Sequence, residues 1–175
     1  MVVEYIPFEV YSNLHNQSKG FDIGFVPNGS AGRTWGRSAA GILVVSPDLQ
    51  EILLLKRSPN VEDPYLWGIP GGARKETANG LEEAIITAVT ESCEEIGRLP
   101  KGRIRKQPYI YQKPETSFTY ETFILEIDTI NREFFTPRLN WENTDYRWFK
   151  RNSLNCVPLH PGVKEVLDNY QFELI

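Results

Sequence analysis

The residues with the clearest chemical potential are six glutamates in the segment from Glu76 to Gly97, which contains no lysine or arginine. A turn of about 100° per residue brings Glu91, Glu94 and Glu95 to one helix face and apolar residues to the opposite face. Like charges at this spacing destabilise a helix by roughly 0.2–0.5 kcal/mol per pair, and a divalent cation would remove the repulsion. Oxygen ligands without histidine favour Mg²⁺ or Mn²⁺ over Zn²⁺. The pattern predicts a metal site, with an ordinary acidic surface as the alternative.

A pair of glycines precedes this segment, at Gly71 and Gly72, directly after Pro70. Glycine allows backbone conformations that other residues avoid and lets a ligand approach the main chain closely. A turn that leads into a helix is also a natural anion site, because the first N–H groups of a helix lack partners. The glycine turn therefore favours a site for a metal and a phosphate over a plain acidic surface.

Positive and aromatic side chains near these elements could bind the rest of a phosphate-containing ligand. Arg57 ends a predicted strand, and Arg74 and Lys75 follow the glycines, although each could equally be a solvated surface charge. Tyr65 and Trp141 are the better candidates for stacking on a base, because both are predicted to lie in loops. Most other aromatic residues are expected in the core, and Phe118 is a weaker candidate.

The two histidines and the two cysteines are not expected to react. His160 precedes Pro161 and is predicted to lie at a helix start. Cys93 falls on the apolar stripe of the glutamate helix and Cys156 in a loop. Two cysteines are too few for a disulfide framework, so both are expected to be free thiols.

Composition limits the class of protein and its partners. The chain has 175 residues, 24% of them charged, and a formal net charge of -4, which is typical of a soluble globular protein. The acidic balance argues against binding of long RNA or DNA. No apolar run is long enough to span a bilayer, and the first residues do not resemble a secretory signal. A cytoplasmic protein without a membrane partner is therefore expected.

The elements that must position the candidate site follow from hydrophobic periodicity and turn residues. A buried hairpin is predicted over 39–57, with its turn at 46–50. The best helix is predicted over 81–96 and ends at Gly97. Further strands are predicted over 2–11, 103–111, 117–127 and 147–149, with loops or short strands over 12–37 and a last helix over 162–170. This order favours an α+β or α/β fold with a mixed sheet.

The central spacing resembles the box of the Nudix hydrolase family, G-x5-E-x7-R-E-U-x-E-E-x-G-U, where U is a bulky apolar residue. Gly72, Glu82 and the run from Glu91 to Gly97 stand at the matching positions. The lead-in from Trp67 to Gly72 and the segments over 146–149 and 159–163 are also similar to the family. The resemblance covers roughly residues 38–167 and implies an α+β fold, an α/β/α sandwich with a mixed sheet, a central catalytic helix and a C-terminal helix. It implies a single domain over 1–175, with an N-terminal strand and loop extension over 1–37 and a core over 38–170.

The resemblance also implies an activity, the Mg²⁺- or Mn²⁺-dependent hydrolysis of a nucleoside diphosphate linked to another moiety. Glu91, Glu94, Glu95 and the carbonyl of Gly71 would then be the metal ligands. Glu82 matches the first glutamate of the box, and its place on the apolar side of the helix suits a structural role. The general base would be Glu94, Glu115 or Glu142, of which Glu142 is slightly favoured as a late-loop metal ligand or base, with an ordinary exposed loop acid as the alternative. The expected partner is a small nucleotide diphosphate derivative, and a homodimer is kept as one option.

The chain departs from the family pattern in three respects. Nine residues separate Gly72 from Glu82 where the family has five. Thr90 occupies the position of the box arginine, which in the family helps to orient the following glutamate. Ser92 and Arg98 replace bulky apolar residues. These departures motivate a second hypothesis, a catalytically weak or inactive domain that binds or senses nucleotides, and a third, a scaffold without metal affinity.

Overall fold

The computed structural model describes residues 2–15 and 38–170. The strands are β1 (Tyr5–Pro7), β2 (Ser38–Ser46), β3 (Glu51–Arg57), β4 (Trp67–Gly68), β5 (Gly71–Ala73), β6 (Glu76–Thr77), β7 (Gly80–Leu81), β8 (Arg103–Arg105), β9 (Tyr109–Gln112), β10 (Thr119–Glu126) and β11 (Asn143–Lys150). The helices are α1 (Phe8–Tyr11), α2 (Ala84–Ile96), α3 (Thr129–Phe134) and α4 (Pro161–Asn169), with a 3₁₀ helix over Arg151–Cys156.

In the described part of the chain, a mixed sheet of nine strands forms the centre of the molecule. Its main path runs β1-β8-β10-β2-β3-β11, while β4, β5 and β9 pair with β3, β2 and β10. Strands β2 and β10 are parallel, and the other pairs are antiparallel. The expected mixed sheet is therefore confirmed.

Helices cover both faces of this sheet, because successive side chains of its buried strands point to opposite sides. Ile42 and Val44 of β2 join the core that α2 covers with Val89 and Ile96. Leu43 and Val45 join the core on the other face, where α4 contributes Val163, Val166 and Leu167. This arrangement confirms the α/β/α sandwich. Among the described helices, none is long and apolar enough to cross a membrane.

Several predicted elements differ from the structure in their bounds. The strand predicted over 2–11 is only β1, and the chain turns into α1 at Phe8. The strand predicted over 103–111 is interrupted and forms β8 and β9. The last strand is longer than predicted, because it pairs with β3 along most of its length. The loops and strands predicted over 12–37 lie almost entirely outside the described residues.

The glutamate helix starts three residues later than predicted, at Ala84. Residues Glu76–Thr77 and Gly80–Leu81 pair as a small hairpin instead, so the enlarged loop between Gly72 and Glu82 forms a structure of its own. Gly97 ends the helix as predicted, with φ of 88°, a left-handed conformation that costs glycine little. The helix that carries the candidate acids is therefore confirmed from Ala84 to Ile96.

Candidate active site

The glycine turn lies where the two central strands separate. Strands β2 and β3 hydrogen-bond to each other only next to their turn, at Val45 and Ser46. Further along, β5 pairs with β2 and β4 pairs with β3, so the chain from Gly68 to Gly71 crosses from one strand to the other. The Pro70 carbonyl accepts a hydrogen bond from the Ile42 N–H at 3.0 Å. This separation creates the place at which helix α2 meets the turn.

Glu95 joins helix α2 directly to this turn. Its Oε2 accepts a hydrogen bond from the Gly71 N–H at 2.7 Å, and its Oε1 accepts one from Asn143 Nδ2 at 3.0 Å. The side chain is only 5% exposed. Burial raises the pKa of Glu95 to about 8, against the two hydrogen bonds, and the charges of Glu142 and Glu91 raise it further. A buried carboxylate among other acids is therefore held rigidly beside the turn.

Glu91 packs one helical turn earlier against the second glycine. A Cβ atom at Gly72 would lie 2.6 Å from Glu91 Oε2, so only glycine leaves room for this carboxylate. Burial raises the pKa of Glu91 to about 7, and the charges of Glu94 and Glu142 add to the rise, whereas Lys75 opposes it. The helix thus directs two of its acids at the two glycines.

The remaining candidate acids differ in their surroundings. Glu94 is exposed, whereas Glu142 is half-buried in the loop before β11. The Glu142 carbonyl accepts a hydrogen bond from the Ser58 N–H at 2.9 Å, which ties this loop to the end of β3. The charge of Glu142 acts on both Glu91 and Glu95. The fold therefore brings this late-loop acid to the helix, while Glu115 is exposed in the loop between β9 and β10.

The carboxylates are of the ligand type that hard divalent cations prefer, although their side chains do not form a ready coordination site. In residues 2–15 and 38–170, no three His, Cys, Asp or Glu side chains are grouped as a ready metal site, and both oxygens of Glu95 already accept protein hydrogen bonds. However, burial raises the pKa of both Glu91 and Glu95, and nearby carboxylates add to the rise: Glu94 and Glu142 act on Glu91, and Glu142 and Glu91 act on Glu95. Oxygen donors with surplus negative charge are the ligands that Mg²⁺ and Mn²⁺ prefer.

A cavity of about 630 Å³ opens on the α4 side of the glycine turn, a size typical of small-molecule sites. Gly68, Ile69 and Gly71 belong to its lining. The lining also includes the charged or polar residues Arg57, Glu62, Asp63, Lys113, Thr116, Thr122 and His160, the aromatic residues Tyr111, Phe118 and Tyr120, and the start of α4 from Pro161 to Val163. The cavity therefore offers aromatic surface together with two positive side chains and two carboxylates.

Arg57 and His160 both line the cavity. The loop between β3 and β4 contacts both residues, and its backbone is strained. The loop contains Asp63 and Tyr65 with left-handed backbones, φ of 50° and 68°, which cost free energy in non-glycine residues. It is held by a hydrogen bond from the Tyr65 N–H to the Arg57 carbonyl at 3.0 Å. His160 Nε2 also donates to Asp63 Oδ2 at 3.2 Å, while its Nδ1 accepts from the Gly162 N–H. Burial lowers the pKa of His160, Arg57 adds to the effect, and Asp63 opposes it. His160 thus holds the start of α4 to this loop, in the helix-start position that the sequence predicted.

Three predicted substrate-binding residues lie outside the cavity lining. Tyr65 and Trp141 are 58% and 68% exposed, so the proposal that they stack on a base receives no support from this cavity. Arg74 donates from Nε to the Glu82 carbonyl at 2.7 Å and from Nη1 to Ser38 Oγ at 3.2 Å. Its guanidinium thus braces the loop before α2. Of the predicted substrate-binding side chains, Arg57 and the weaker candidate Phe118 line the cavity.

Sequence reasoning missed Tyr111 and Tyr120, which line the cavity from neighbouring strands. These residues lie opposite each other in the β9–β10 pair. Burial raises the pKa of the Tyr120 phenol, and the charges of Glu95 and Glu91 add to the rise, whereas Arg57 opposes it. In the sequence, the two tyrosines flank a polar loop, which is consistent with paired positions in a hairpin. The face of the sheet to which each side chain points is set by the strand register, which the sequence pattern does not give.

The box positions Glu82, Thr90 and Ser92 differ in whether their side chains form hydrogen bonds. Thr87 Oγ1 donates to Glu82 Oε1 at 2.9 Å, and both residues are buried, which supports the predicted structural role of Glu82. Thr90, at the place of the family's arginine, is 7% exposed, and its hydroxyl has no hydrogen-bond partner among the described residues. The Ser92 hydroxyl is buried in the same way. Neither side chain therefore orients Glu91 through a hydrogen bond.

Comparison with known proteins adds a family to this geometry. The NUDIX domain model matches residues 35–170 of the chain. A Mycobacterium tuberculosis protein named "Putative 8-oxo-dGTP diphosphatase 3" is 32% identical over 155 residues, which cover 83% of this chain and 67% of that protein.

Solved structures agree with this match. The Nudix hydrolase RenU from M. smegmatis superposes with a TM-score of 0.55 at 26% identity, over 76% of this chain and 82% of RenU. The NUDIX domain of Shewanella oneidensis NrtR, determined in complex with ADP ribose, superposes with a TM-score of 0.59 at 18% identity, over 75% of this chain and 84% of that one. The second likeness concerns the fold alone.

Proposed function

Because this chain belongs to the Nudix family of pyrophosphohydrolases, we propose that it hydrolyses a pyrophosphate bond in a nucleoside diphosphate linked to another moiety, with Mg²⁺ or Mn²⁺ as cofactor. The observation that carries the proposal is the contact of two carboxylates, half-buried Glu91 and buried Glu95, with the glycine turn. The turn in turn borders a cavity of about 630 Å³. Acid side chains and a ligand-sized space thus meet at Gly71.

The chain's residues divide the work of this reaction. Glu91, Glu94, Glu95 and the Gly71 carbonyl would hold the metal. When bound, the cation supplies neutralisation of the phosphate charge and a lower pKa for an attacking water. Glu142, whose charge already acts on Glu91 and Glu95, would accept the proton of the attacking water.

Two side chains outside the box complete the site. Arg57 lines the cavity, and its Nε donates to the Glu62 carbonyl at 2.7 Å. This bond fixes the guanidinium, so that its remaining N–H groups can bind phosphate oxygens. Lys75 acts on Glu91 through its charge and limits the repulsion between the acids and an anionic substrate.

The relatives rank the compounds to test. The name of the M. tuberculosis relative, which is 32% identical, makes 8-oxo-dGTP the first candidate. ADP ribose, the compound in the NrtR complex, is the second. A nucleotide sugar and a dinucleoside polyphosphate complete the panel, since both contain the same diphosphate linkage.

A second candidate function, nucleotide binding without turnover, is favoured by one observation. Thr90 replaces the arginine of the box, and its buried hydroxyl makes no hydrogen bond within the described residues. Glu91 is then held by packing against Gly72. A protein of this kind would bind members of the panel and release no product.

The decisive experiment measures product release from the panel with Mg²⁺, with Mn²⁺ and with a chelator. Wild type is expected to turn over at least one compound only with metal. Glu95→Gln is expected to reduce kcat by about 100-fold or more, because the lost charge belongs to the metal site. Glu9→Gln, which removes an exposed acid on α1, is the control and should match wild type. Equal rates for Glu95→Gln and wild type would contradict the site, and binding without product would favour the second candidate.

The choice of general base has its own test. Glu142→Gln is expected to reduce kcat by roughly 10²–10⁴-fold, the usual contribution of a base, whereas Glu115→Gln in the exposed loop should have a small effect. The kcat of both variants is measured on the best substrate across pH 6 to 9. A large loss in Glu115→Gln with normal rates in Glu142→Gln would reverse the assignment.

A further inference from the structure

The Tyr120 hydroxyl occupies a space that two glycines leave open. Gly41 of β2 and Gly71 of β5 lie opposite each other in the sheet, and the hydroxyl contacts both. A Cβ atom at either glycine would collide with it. The phenol therefore reaches over the backbone of the glycine turn, on the face of the sheet that α4 covers.

The hydroxyl has no hydrogen-bond partner among the described residues, and Tyr120 lines the 630 Å³ cavity. A tyrosine is protonated at neutral pH and can donate one hydrogen bond. Tyr120 is half-buried, and its oxygen is not among the buried side-chain atoms of the described residues that lack a hydrogen-bond partner. Its donor can therefore bind a ligand that enters the cavity which Tyr120 lines.

The charges around Tyr120 indicate which part of a ligand it meets. Arg57 lines the same cavity and is close enough for its charge to act on the phenol. On the other side, the N–H of Gly71 donates to Glu95, so one glycine separates the hydroxyl from the acids of the proposed metal site. A guanidinium and a hydroxyl donor beside those acids suit the oxygens of a phosphate group.

We propose that Tyr120 is a substrate-binding residue whose hydroxyl donates a hydrogen bond to a phosphate oxygen of the diphosphate. This inference rests on the proposed function, because it takes the diphosphate to bind beside Gly71. The bond adds to the contact that Arg57 makes and fixes the diphosphate next to the box acids. The aromatic ring stays in place without the hydroxyl, so the effect belongs to the ligand and not to the fold.

The experiment compares Tyr120→Phe with Tyr109→Phe. Tyr109 lies outside the cavity lining on the neighbouring strand β9, and its hydroxyl donates to Glu165 Oε1 and accepts from Asn169 Nδ2. Each variant loses one hydroxyl. The readouts are thermal unfolding, KM and kcat on the best substrate of the panel, and calorimetric binding of inorganic pyrophosphate and of ADP with Mg²⁺.

Tyr120→Phe is expected to unfold at the wild-type temperature, to raise KM and to weaken pyrophosphate and ADP binding by about 10-fold or more, the value of a hydrogen bond to a charged group. Tyr109→Phe is expected to unfold at a lower temperature and to bind as wild type does. Unchanged pyrophosphate and ADP binding in Tyr120→Phe would overturn the inference, as would wild type that binds neither compound. A wild type that binds these probes through Tyr120 but hydrolyses nothing would contradict the proposed function and leave this inference standing.

Discussion

At the scale of single residues, the site depends on glycines that make room for other side chains. The Glu91 carboxylate lies where a side chain at Gly72 would begin, and the Tyr120 hydroxyl lies where one at Gly71 would begin. Neither glycine is among those with positive φ, which are Gly80 and Gly97 in the described residues. Space, rather than backbone conformation, therefore requires glycine at these two positions.

Gly72→Ala is expected to impair catalysis more than folding. The new Cβ would lie 2.6 Å from Glu91 Oε2, so the flexible glutamate must leave its position. We expect kcat to fall by about 10-fold or more, because displacement of a reacting group by 1 Å can cost about 100-fold, while the unfolding temperature changes little. Steady-state kinetics and thermal unfolding of the same preparation measure both effects.

Gly80→Ala is the matched control, and the reverse pattern is expected. Gly80 has φ of 107° with no atom within 4 Å of an added Cβ, so alanine is strained without meeting a neighbour. The free energy of unfolding should fall by about 1–2 kcal/mol, the cost of a left-handed backbone at a residue with a Cβ atom, with kcat at the wild-type value. Wild-type kcat in Gly72→Ala, or a loss of kcat in Gly80→Ala, would show that the Glu91–Gly72 contact does not position the acid.

At the scale of elements, helix α2 contains two buried threonine hydroxyls that differ in hydrogen bonding. Thr87 donates to the buried Glu82 and closes the start of the helix onto the preceding loop. Thr90, one turn later, has a buried hydroxyl without a hydrogen-bond partner in the described residues. The helix therefore offers two similar residues, of which one makes a hydrogen bond and the other does not.

Replacing each threonine by valine is expected to change stability in opposite directions. Thr87→Val removes the donor to Glu82 and should lower the free energy of unfolding by about 0.5–1.5 kcal/mol, the net contribution of a typical intramolecular hydrogen bond. Thr90→Val removes a hydroxyl that makes no bond and should leave stability unchanged or raise it by up to about 1 kcal/mol. Urea unfolding of both variants measures the difference, and equal losses would mean that the Thr87–Glu82 bond is not formed.

At the scale of the whole molecule, Glu91 and Glu95 link the stability of the fold to pH and to metal. Their pKa values are about 7 for Glu91 and about 8 for Glu95, against 4.5 for an ordinary glutamate. Between pH 4.5 and about 8, the folded protein therefore binds more protons at these two residues than the unfolded chain does. Their contribution to stability is complete below pH 4.5 and is lost as pH rises towards 8.

With a chelator present, we expect the unfolding temperature to fall between pH 5.5 and 8. Mg²⁺ should raise it more at pH 8 than at pH 6, since the cation competes with protons for the carboxylates. Glu95→Gln should flatten the decline without metal and reduce the response to Mg²⁺, while Glu9→Gln should resemble wild type. Thermal unfolding at the two pH values measures this, and a Mg²⁺ effect of equal size at both would contradict the linkage.

The part of the molecule that local pattern predicts is the hairpin, the acid-bearing helix and its glycine stop. Each depends on residues a few positions apart, and the structure has them at β2, β3 and Ala84–Ile96. The first turn of that helix was predicted wrongly, because Gly80–Leu81 pairs with Glu76–Thr77 in preference to helix. The N-terminal strand was also predicted to be too long, because only Tyr5–Pro7 pair with β8 at the edge of the sheet.

By itself, the sequence determined which acids lie on one face of the helix and how far along the chain they are from the glycines. Helical periodicity converts a position in the chain into a position on a helix face. Tertiary structure alone decided that Tyr120 and Tyr111 line the cavity while Trp141 stays exposed. The physical reason is that a strand residue acquires its face and its neighbours from sheet register. That register pairs Tyr120 with Ala39 of β2, which is 81 positions away in the chain (120 minus 39).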